Sequence, residues 1–511
     1  RARLKRYTAL FHHDLTVQVP FPNGEDLCWR ASWGRLHCRG SKHPDMRCSW
    51  RFASAILASW LLHLTFGTVY CWGSIAPYIV SYMRSKGHSV DYDQMSWAVS
   101  VTTALQSIAM YASGTLHHRL GVRLTCVLGC SLMTLGIFLS SFAVGCGKVP
   151  FLLTYSSLFG LGMGLGYITP MLCLMKWLPD QKGMASGLVV AGFGTGACLF
   201  NKVQQHLINP DEVLPSLELG GDRYFDWQNS VVNREVLDHV PAALRLQALV
   251  FACMQALGVL LLLDPPAQEP RADEDAEADP SAPMIAHVQR EYTTSEMVVR
   301  RDFWFLMACV VLNAQVVLTM TASQKTFGLE LVPGISDNAL TNITGAASLL
   351  NGFGRLIWGA IADATSFRVA MLCVDVVLVV MLLTLAGCST QYQYMAWVCL
   401  IFFSIGGHFS LYPQAASTFF GSKHLGSNYG VVFMGFAASE LTGSAVLEYL
   451  LGDKTISTVC SVMAILAGCS GLMALQTTPR RRQPAPSPSD GKLAAEPPKG
   501  YGAAGKPALG A

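Results

Sequence analysis

Val369–Cys388 reads VAMLCVDVVLVVMLLTLAGC, twenty residues that are apolar on every helical face and carry a single charge, Asp375. A helix needs roughly 20 apolar residues to cross a hydrocarbon core about 30 Å thick, so this run reads as a membrane span. Working outward, comparable runs fall into two groups. The first comprises Ala53–Tyr82, Met95–Leu116, Leu124–Val144, Phe151–Leu174, Met184–Val203 and Ala242–Leu263. The second comprises Phe303–Thr326, Ala339–Ile361, Val369–Cys388, Tyr394–Ala416, Tyr429–Leu451 and Ile456–Leu475. The pattern predicts an all-α polytopic membrane protein, with about twelve transmembrane helices in two six-helix bundles.

Composition agrees with that reading. Of the 511 residues, 51% are hydrophobic and 14% charged, with a mean hydropathy of +0.37, whereas soluble chains carry about 25% charged residues. The net charge of +3 comes with no basic helix interleaved with aromatics, which argues against a nucleic-acid partner and for a lipid bilayer as the main solvent. Most of the sixteen cysteines lie inside apolar runs and none forms a CxxC pair, so they read as small packing residues. Cys28, Cys38 and Cys48 recur in the N-terminal segment but fit no zinc spacing, and no metal or cofactor is expected. GxSxG, Walker, HExxH and dinucleotide motifs are absent from any context that could use them, so an enzyme is not expected.

The runs divide the chain into five parts. Residues 1–50 form a tail rich in Arg, His and Trp, expected to be disordered, and residues 51–263 form the first bundle. Residues 264–301, opening DPPAQEPRADEDAEADPSAP, are a solvated acidic and Pro-rich linker. Residues 302–476 form the second bundle, and residues 477–511 a disordered tail. The connection His206–Pro241 is long and mixed in polarity, and the sequence assigns it no role. With both termini cytoplasmic, one face receives Arg119, Arg123, Lys176, Lys182, Arg300, Arg301, Arg368, Lys423 and Arg480–Arg482. The opposite face receives fewer basic residues, so this orientation satisfies the positive-inside rule. Which membrane houses the chain is left open.

The second and eighth runs end alike. GTLHHRLGVR, Gly114–Arg123, follows the second, while GAIAD, Gly359–Asp363, and then Arg368 close the eighth. Small residues permit close helix approach and the basic clusters anchor tight turns, so Gly114, Arg119, Gly121, Arg123, Gly359, Asp363 and Arg368 read as a packing and gating motif. The pair resembles the loop motif of the major facilitator superfamily, although His118 stands where that family has an acid. KWLPDQKGMASG (Lys176–Gly187), AGFGTG (Ala191–Gly196), NGFGRLIWG (Asn351–Gly359) and GGHFSLYP (Gly406–Pro413) are similar to the oxalate:formate antiporter branch, kin of the monocarboxylate porters. Phe420-Gly421, Lys423, Gly426 and Asn428–Gly430 extend that likeness, which runs from Phe52 to about Leu475. It implies a secondary transporter working by alternating access around a midplane site.

An ionisable group in mid-span costs around 2.5–3.5 kcal/mol, which makes each one a functional candidate. Arg355 lies about eight residues from Asp363, roughly 12 Å above the end of its helix. Its planar fork suits a carboxylate, and the resemblance implies the substrate-neutralising role, with a packing arginine as the alternative. The dicarboxylate exchangers of that branch carry a second cation, a lysine, where this chain has Phe436, level with Arg355. One cation facing one ring favours a single carboxylate with an organic tail over oxalate. Glu440, four residues on, shares that face and is a proton-coupling candidate; a structural role bonded to Ser439 or Thr442 is the alternative. The resemblance implies aromatic lining from the first and tenth helices, matched by Tyr70 and Tyr412. His63 and His408 share their faces and read either as ligands or as packing residues. Asn313 and Gln315 add polar lining, Asp375 reads as a peripheral helix contact, and the sequon at Asn342 is discounted at a span end. The leading expectation is a carrier of a small monocarboxylate, pyruvate-, lactate- or formate-like, proton-coupled or exchanging. The alternatives are a carrier of oxalate or of a neutral or zwitterionic solute, and a non-transporting sensor.

Overall fold

The computed structural model describes residues 16–20, 26–30, 46–219, 222–265, 291–445 and 455–477. Most of the expected tails (1–50, 477–511) and of the linker (264–301) therefore lies outside the described residues. The chain divides into two units, 1–53 and 54–511. The first holds an antiparallel pair of strands, Thr16–Pro20 and Asp26–Arg30, with Thr16 opposite Arg30.

The second unit is a helical membrane body. The first span lies in the helix Met46–Phe66, which enters this unit at Ser54, passes through a 3-10 turn at Gly67–Cys71 and resumes as Trp72–Ser85. The tightened turn sits where Gly67 presses on the fifth span: a Cβ there would lie 2.1 Å from the Phe193 carbonyl oxygen. Spans two and three run as one helix, Tyr92–Ala143, bent at Gly121, whose φ of 79° is open to glycine and strained for other residues. The fourth span joins Lys148–Phe151, a π-helical stretch Leu152–Leu158 and Phe159–Trp177. The fifth is Lys182–Ile208 and the sixth Val240–Leu261. Between those two, the connection folds into a small hairpin, Leu217–Leu219 with Asp222–Tyr224, and a helix Val231–Asp238 capped by Ser230.

The seventh to twelfth spans are Arg301–Leu331, Asp337–Ala364, Phe367–Leu385, Gln391–Phe420, Leu425–Ala445 and Ile456–Gln476. Ser336, Ser366, Thr390 and Thr455 cap the eighth, ninth, tenth and twelfth by accepting from a backbone N–H three residues on. Among the described residues nine helices are long and apolar enough to cross a membrane, and one of them, bent at Gly121, holds two spans. The eighth and eleventh fall outside that group and complete the twelve. The eighth is diluted by Asn338, Thr341, Asn342, Asn351, Arg355 and Asp363, a cost that makes it a functional candidate.

Glycine decides the packing. Gly160 and Gly164 of the fourth span press on the Thr102 and Gln106 carbonyls of the second, whereas Gly162 presses on Gly129 and Met133 of the third. The two bundles meet in the same way: an added Cβ would lie 2.2 Å from the Arg355 carbonyl at Gly187 and 2.1 Å from the Ser427 amide at Gly114. Backbones that close leave no room for a side chain, which is why glycine recurs in these motifs.

Candidate functional site

The eighth span hangs its arginine between the bundles. Arg355 is 0% exposed, donates from Nε to Asn351 Oδ1 at 3.1 Å, and from Nη1 to the Val190 carbonyl at 3.0 Å. Val190 belongs to the fifth span, so one guanidinium bonds to both halves. Its central carbon lies 4.5 Å from the Phe409 ring centroid and 5.4 Å from that of Phe193, an aromatic sandwich suited to a desolvated cation. Nη2 has no acceptor at hydrogen-bond distance among the described residues, the Tyr70 hydroxyl acts on the guanidinium, and no carboxylate there pairs with it. A buried guanidinium held by neutral groups is a candidate for meeting an anion, since its planar fork suits a carboxylate.

Aromatic rings surround it. Tyr70 meets Phe193 edge-on at 5.4 Å, as does Tyr167 at 5.6 Å. Phe433 stacks on Phe436 at 5.4 Å, and Phe436 touches Phe409 at 5.6 Å, so Phe436 stands one ring away from the guanidinium, as its level in the sequence implied. His63 binds the Ser59 carbonyl through Nδ1 at 3.0 Å and lies 5.0 Å from the Tyr167 ring. His63 Nε2 and the Tyr429 hydroxyl are buried without partners among the described residues. Three polar atoms without partners among the described residues thus lie among apolar ring faces.

The other expected residues divide. Tyr70 acts electrostatically with both Arg355 and Glu440, so these three belong to one region, yet Arg355 and Glu440 form no ion pair in this conformation. The hydroxyls considered for Glu440 serve elsewhere: Ser439 donates to the Val311 carbonyl, while Thr442 donates to Ala438 and accepts from Gln315 Nε2. His408 and Tyr412 turn into the second bundle. His408 Nε2 lies 3.1 Å from Asp375 Oδ1, and Tyr412 donates to the Cys309 carbonyl at 3.0 Å. Sequence reading missed Phe193, Tyr167, Phe409 and Tyr429. Phe193 sat inside the quoted AGFGTG and Phe409 inside GGHFSLYP, but which helix each ring faces is a cross-helix fact.

The motif residues gather at the face carrying Arg119 and Arg123. Asp363 Oδ1 accepts from the Gly183 amide at 2.7 Å and Oδ2 from the Met184 amide at 2.6 Å, so the acid of the eighth span caps the first turn of the fifth. Gly359 packs on Gly183 with no room for a Cβ, and Arg123 Nε donates to the Leu262 carbonyl at 3.0 Å. His118, in the first copy of the motif, lies 5.7 Å ring to ring from His424 instead of capping a helix. A cavity of about 660 Å³ opens beside it, lined by Gly114, His117, Lys176, Lys182 and Lys423. Among the described residues no cluster of His, Cys, Asp or Glu is placed to hold a metal ion.

Known proteins bear on this geometry. The chain is 28% identical to the apicoplast pyruvate carrier 1 of Toxoplasma gondii, over 88% of this chain and 93% of that one. It is 22% identical to the oxalate:formate antiporter of Oxalobacter formigenes, over 85% and 93% respectively. The solved fucose:proton symporter of E. coli superposes with a TM-score of 0.60 at 13% identity, covering 83% of this chain and 98% of that one, which is a likeness of fold. A family model described as Major Facilitator Superfamily matches residues 50–204, 237–444 and 333–509. With two bundles meeting on glycine and a buried arginine between them, this multi-pass membrane transporter belongs to the Major Facilitator Superfamily.

Proposed function

We propose that the protein carries a small monocarboxylate, of the pyruvate, lactate or formate kind, by alternating access, with Arg355 binding the carboxylate. The observation that carries this reading is the fully buried guanidinium, with no acceptor at hydrogen-bond distance from Nη2 among the described residues, sandwiched between Phe193 and Phe409. A second anionic group would have to sit against Phe433 and Phe436, where no cation compensates it, so a dicarboxylate is disfavoured. The names of the pyruvate carrier and of the oxalate:formate antiporter both print small organic carboxylates, of which pyruvate and formate carry one carboxyl group and oxalate two. The basic face, with Arg119, Arg123, Lys176 and Lys182, is assigned to the cytoplasm, together with both termini. At that face the Asp363 cap and the glycine contacts join the two bundles.

Uptake of labelled pyruvate, lactate, formate and oxalate into proteoliposomes tests the reading. Wild type is expected to take up monocarboxylates, and Arg355→Ala to lose that uptake. Monocarboxylate uptake unchanged in Arg355→Ala, or uptake of neutral solutes alone, would show that the arginine serves packing and that the cargo is of another class.

A further inference from the structure

The single charge of the ninth span points inward. Asp375 and His408 are each 1% exposed, with His408 Nε2 lying 3.1 Å from Asp375 Oδ1. Asn313 Nδ2, from the seventh span, reaches the same Asp375 oxygen at 3.2 Å. That nitrogen also lies 2.8 Å from Ser470 Oγ of the twelfth span and 3.2 Å from the Tyr412 hydroxyl. Four helices of the second bundle converge on one carboxylate. Besides the pair itself, the titratable groups acting on it are the Cys309 thiol from the seventh helix and the Tyr412 phenol from the tenth; Ser470 and Asn313 are neutral.

The cluster does not close its valences. Asp375 Oδ2, His408 Nδ1 and Asn313 Oδ1 are buried with no partner at hydrogen-bond distance among the described residues, although the Ser470 hydroxyl also acts on the Asp375 carboxylate. Buried polar groups are nearly always hydrogen-bonded, and a network kept only for structure would be expected to satisfy its members. Charging the imidazole at both nitrogens would bury an Nδ1–H donor with nothing to accept it. The arrangement that fits is a neutral His408 donating through Nε2 to an ionised Asp375, with Nδ1 and Oδ2 left as open bases. One added proton takes the pair from a net charge of −1 to 0, the direction that a low-dielectric interior favours.

The tenth helix links this pair to the anion site. His408 is followed by Phe409, whose ring lies 4.5 Å from the Arg355 guanidinium carbon. One residue before the Gly407 contact with Trp358, Gly406 presses on the eighth span so closely that a Cβ would lie 2.2 Å from the Asn351 carbonyl oxygen. Adjacent side chains of one helix therefore face the acid–imidazole pair and the arginine, and a shift of the tenth helix moves both.

We propose that Asp375 and His408 form a proton-binding site that couples carboxylate movement to a proton, in the place expected of Glu440. This rests on the carrier reading above. One proton is taken from water while the chamber faces one side, held on the Asp375 carboxylate as a new O–H, and returned to water on the other side with the carboxylate; no electron moves. Glu440 is partly exposed and has no base at hydrogen-bond distance among the described residues, whereas Asp375 has an imidazole there.

The test uses full-length purified protein as wild type, Asp375→Asn, His408→Gln, Asp375→Glu and Glu440→Gln. Melting temperature is first followed from acid to alkaline pH, with no substrate present. Wild type, Asp375→Glu and Glu440→Gln should show a bend that Asp375→Asn and His408→Gln lack. Curves lowered in parallel at every pH, as a purely structural role predicts, overturn the proposal. In proteoliposomes with labelled pyruvate, Asp375→Asn and His408→Gln should keep exchange at equilibrium but no longer accumulate substrate down an imposed proton gradient, while Glu440→Gln keeps both. Accumulation that survives in Asp375→Asn, fails only in Glu440→Gln, or is absent from an exchanging wild type also overturns it. A wild type that moves no carboxylate sinks the carrier reading instead, and the melting profiles then decide the proton site alone.

Discussion

Removing the Asp363 carboxylate should open the basic face without unfolding the protein. Its two oxygens accept from Gly183 and Met184, first-turn amides of the fifth span that have no partner within their own helix. A hydrogen bond to a charged group contributes about 1.5–3 kcal/mol, and the lower figure applies because the site is only partly buried. Two such bonds give about 3 kcal/mol, or about two orders of magnitude in the ratio of closed to open at this face. Hydrogen–deuterium exchange over Lys182–Gly187 reads that ratio directly. In Asp363→Ala the Gly183 and Met184 amides should exchange about 100-fold faster, and in Asp363→Asn, which keeps one neutral acceptor, about tenfold faster. The fifth helix beyond Gly187 should be unaffected. Unchanged exchange at the two amides would refute the idea that this acid holds the bundles together, and acceleration along the entire helix would signal unfolding in place of opening.

Three further outcomes follow from the same geometry. Gly359→Ala places a Cβ 2.2 Å from the Gly183 carbonyl oxygen, so proteoliposome uptake should stop and Lys182–Gly187 exchange should rise while circular dichroism stays unchanged. Phe436→Lys sets a second cation one ring from Arg355 and should raise oxalate uptake relative to pyruvate about tenfold, the change that about 1.4 kcal/mol produces; an unaltered ratio would mean that Phe436 does not select the cargo. Phe409→Leu removes the ring 4.5 Å from the guanidinium, an interaction of up to about 2 kcal/mol when desolvated, so the KM for monocarboxylate should rise severalfold with protein yield maintained.

Much of the architecture was legible because lipid imposes a simple rule: every crossing must be a long apolar helix, and Val369–Cys388 could be little else. The same rule hides detail. No sequence signal marks the π-helical Leu152–Leu158 or the 3-10 turn at Gly67, because both adjust a backbone to a neighbour distant in the chain. Arg355 was legible since a charge in a span must have a reason, and Phe436 could be placed level with it by counting turns. Asp375 and His408 stood out singly, but their pairing depends on the rotation of the ninth helix against the tenth, which a run apolar on all faces does not record. Phe193, Tyr167, Phe409 and Tyr429 were hidden for a related reason, since aromatic residues abound in these helices and only the packing decides which rings enclose the cation.

The bond from Arg355 Nη1 to the Val190 carbonyl has a consequence for how firmly cargo can be held. The guanidinium that would greet an arriving anion already serves as a rivet between the two bundles. An anion that draws it aside weakens that rivet, so part of the attraction is consumed in loosening the joint and the remainder appears as modest affinity. A tight grip would leave a carrier slow to let go. Tying recognition to the seam favours frequent turnover over retention, and it makes an empty site and a fastened seam two aspects of one state.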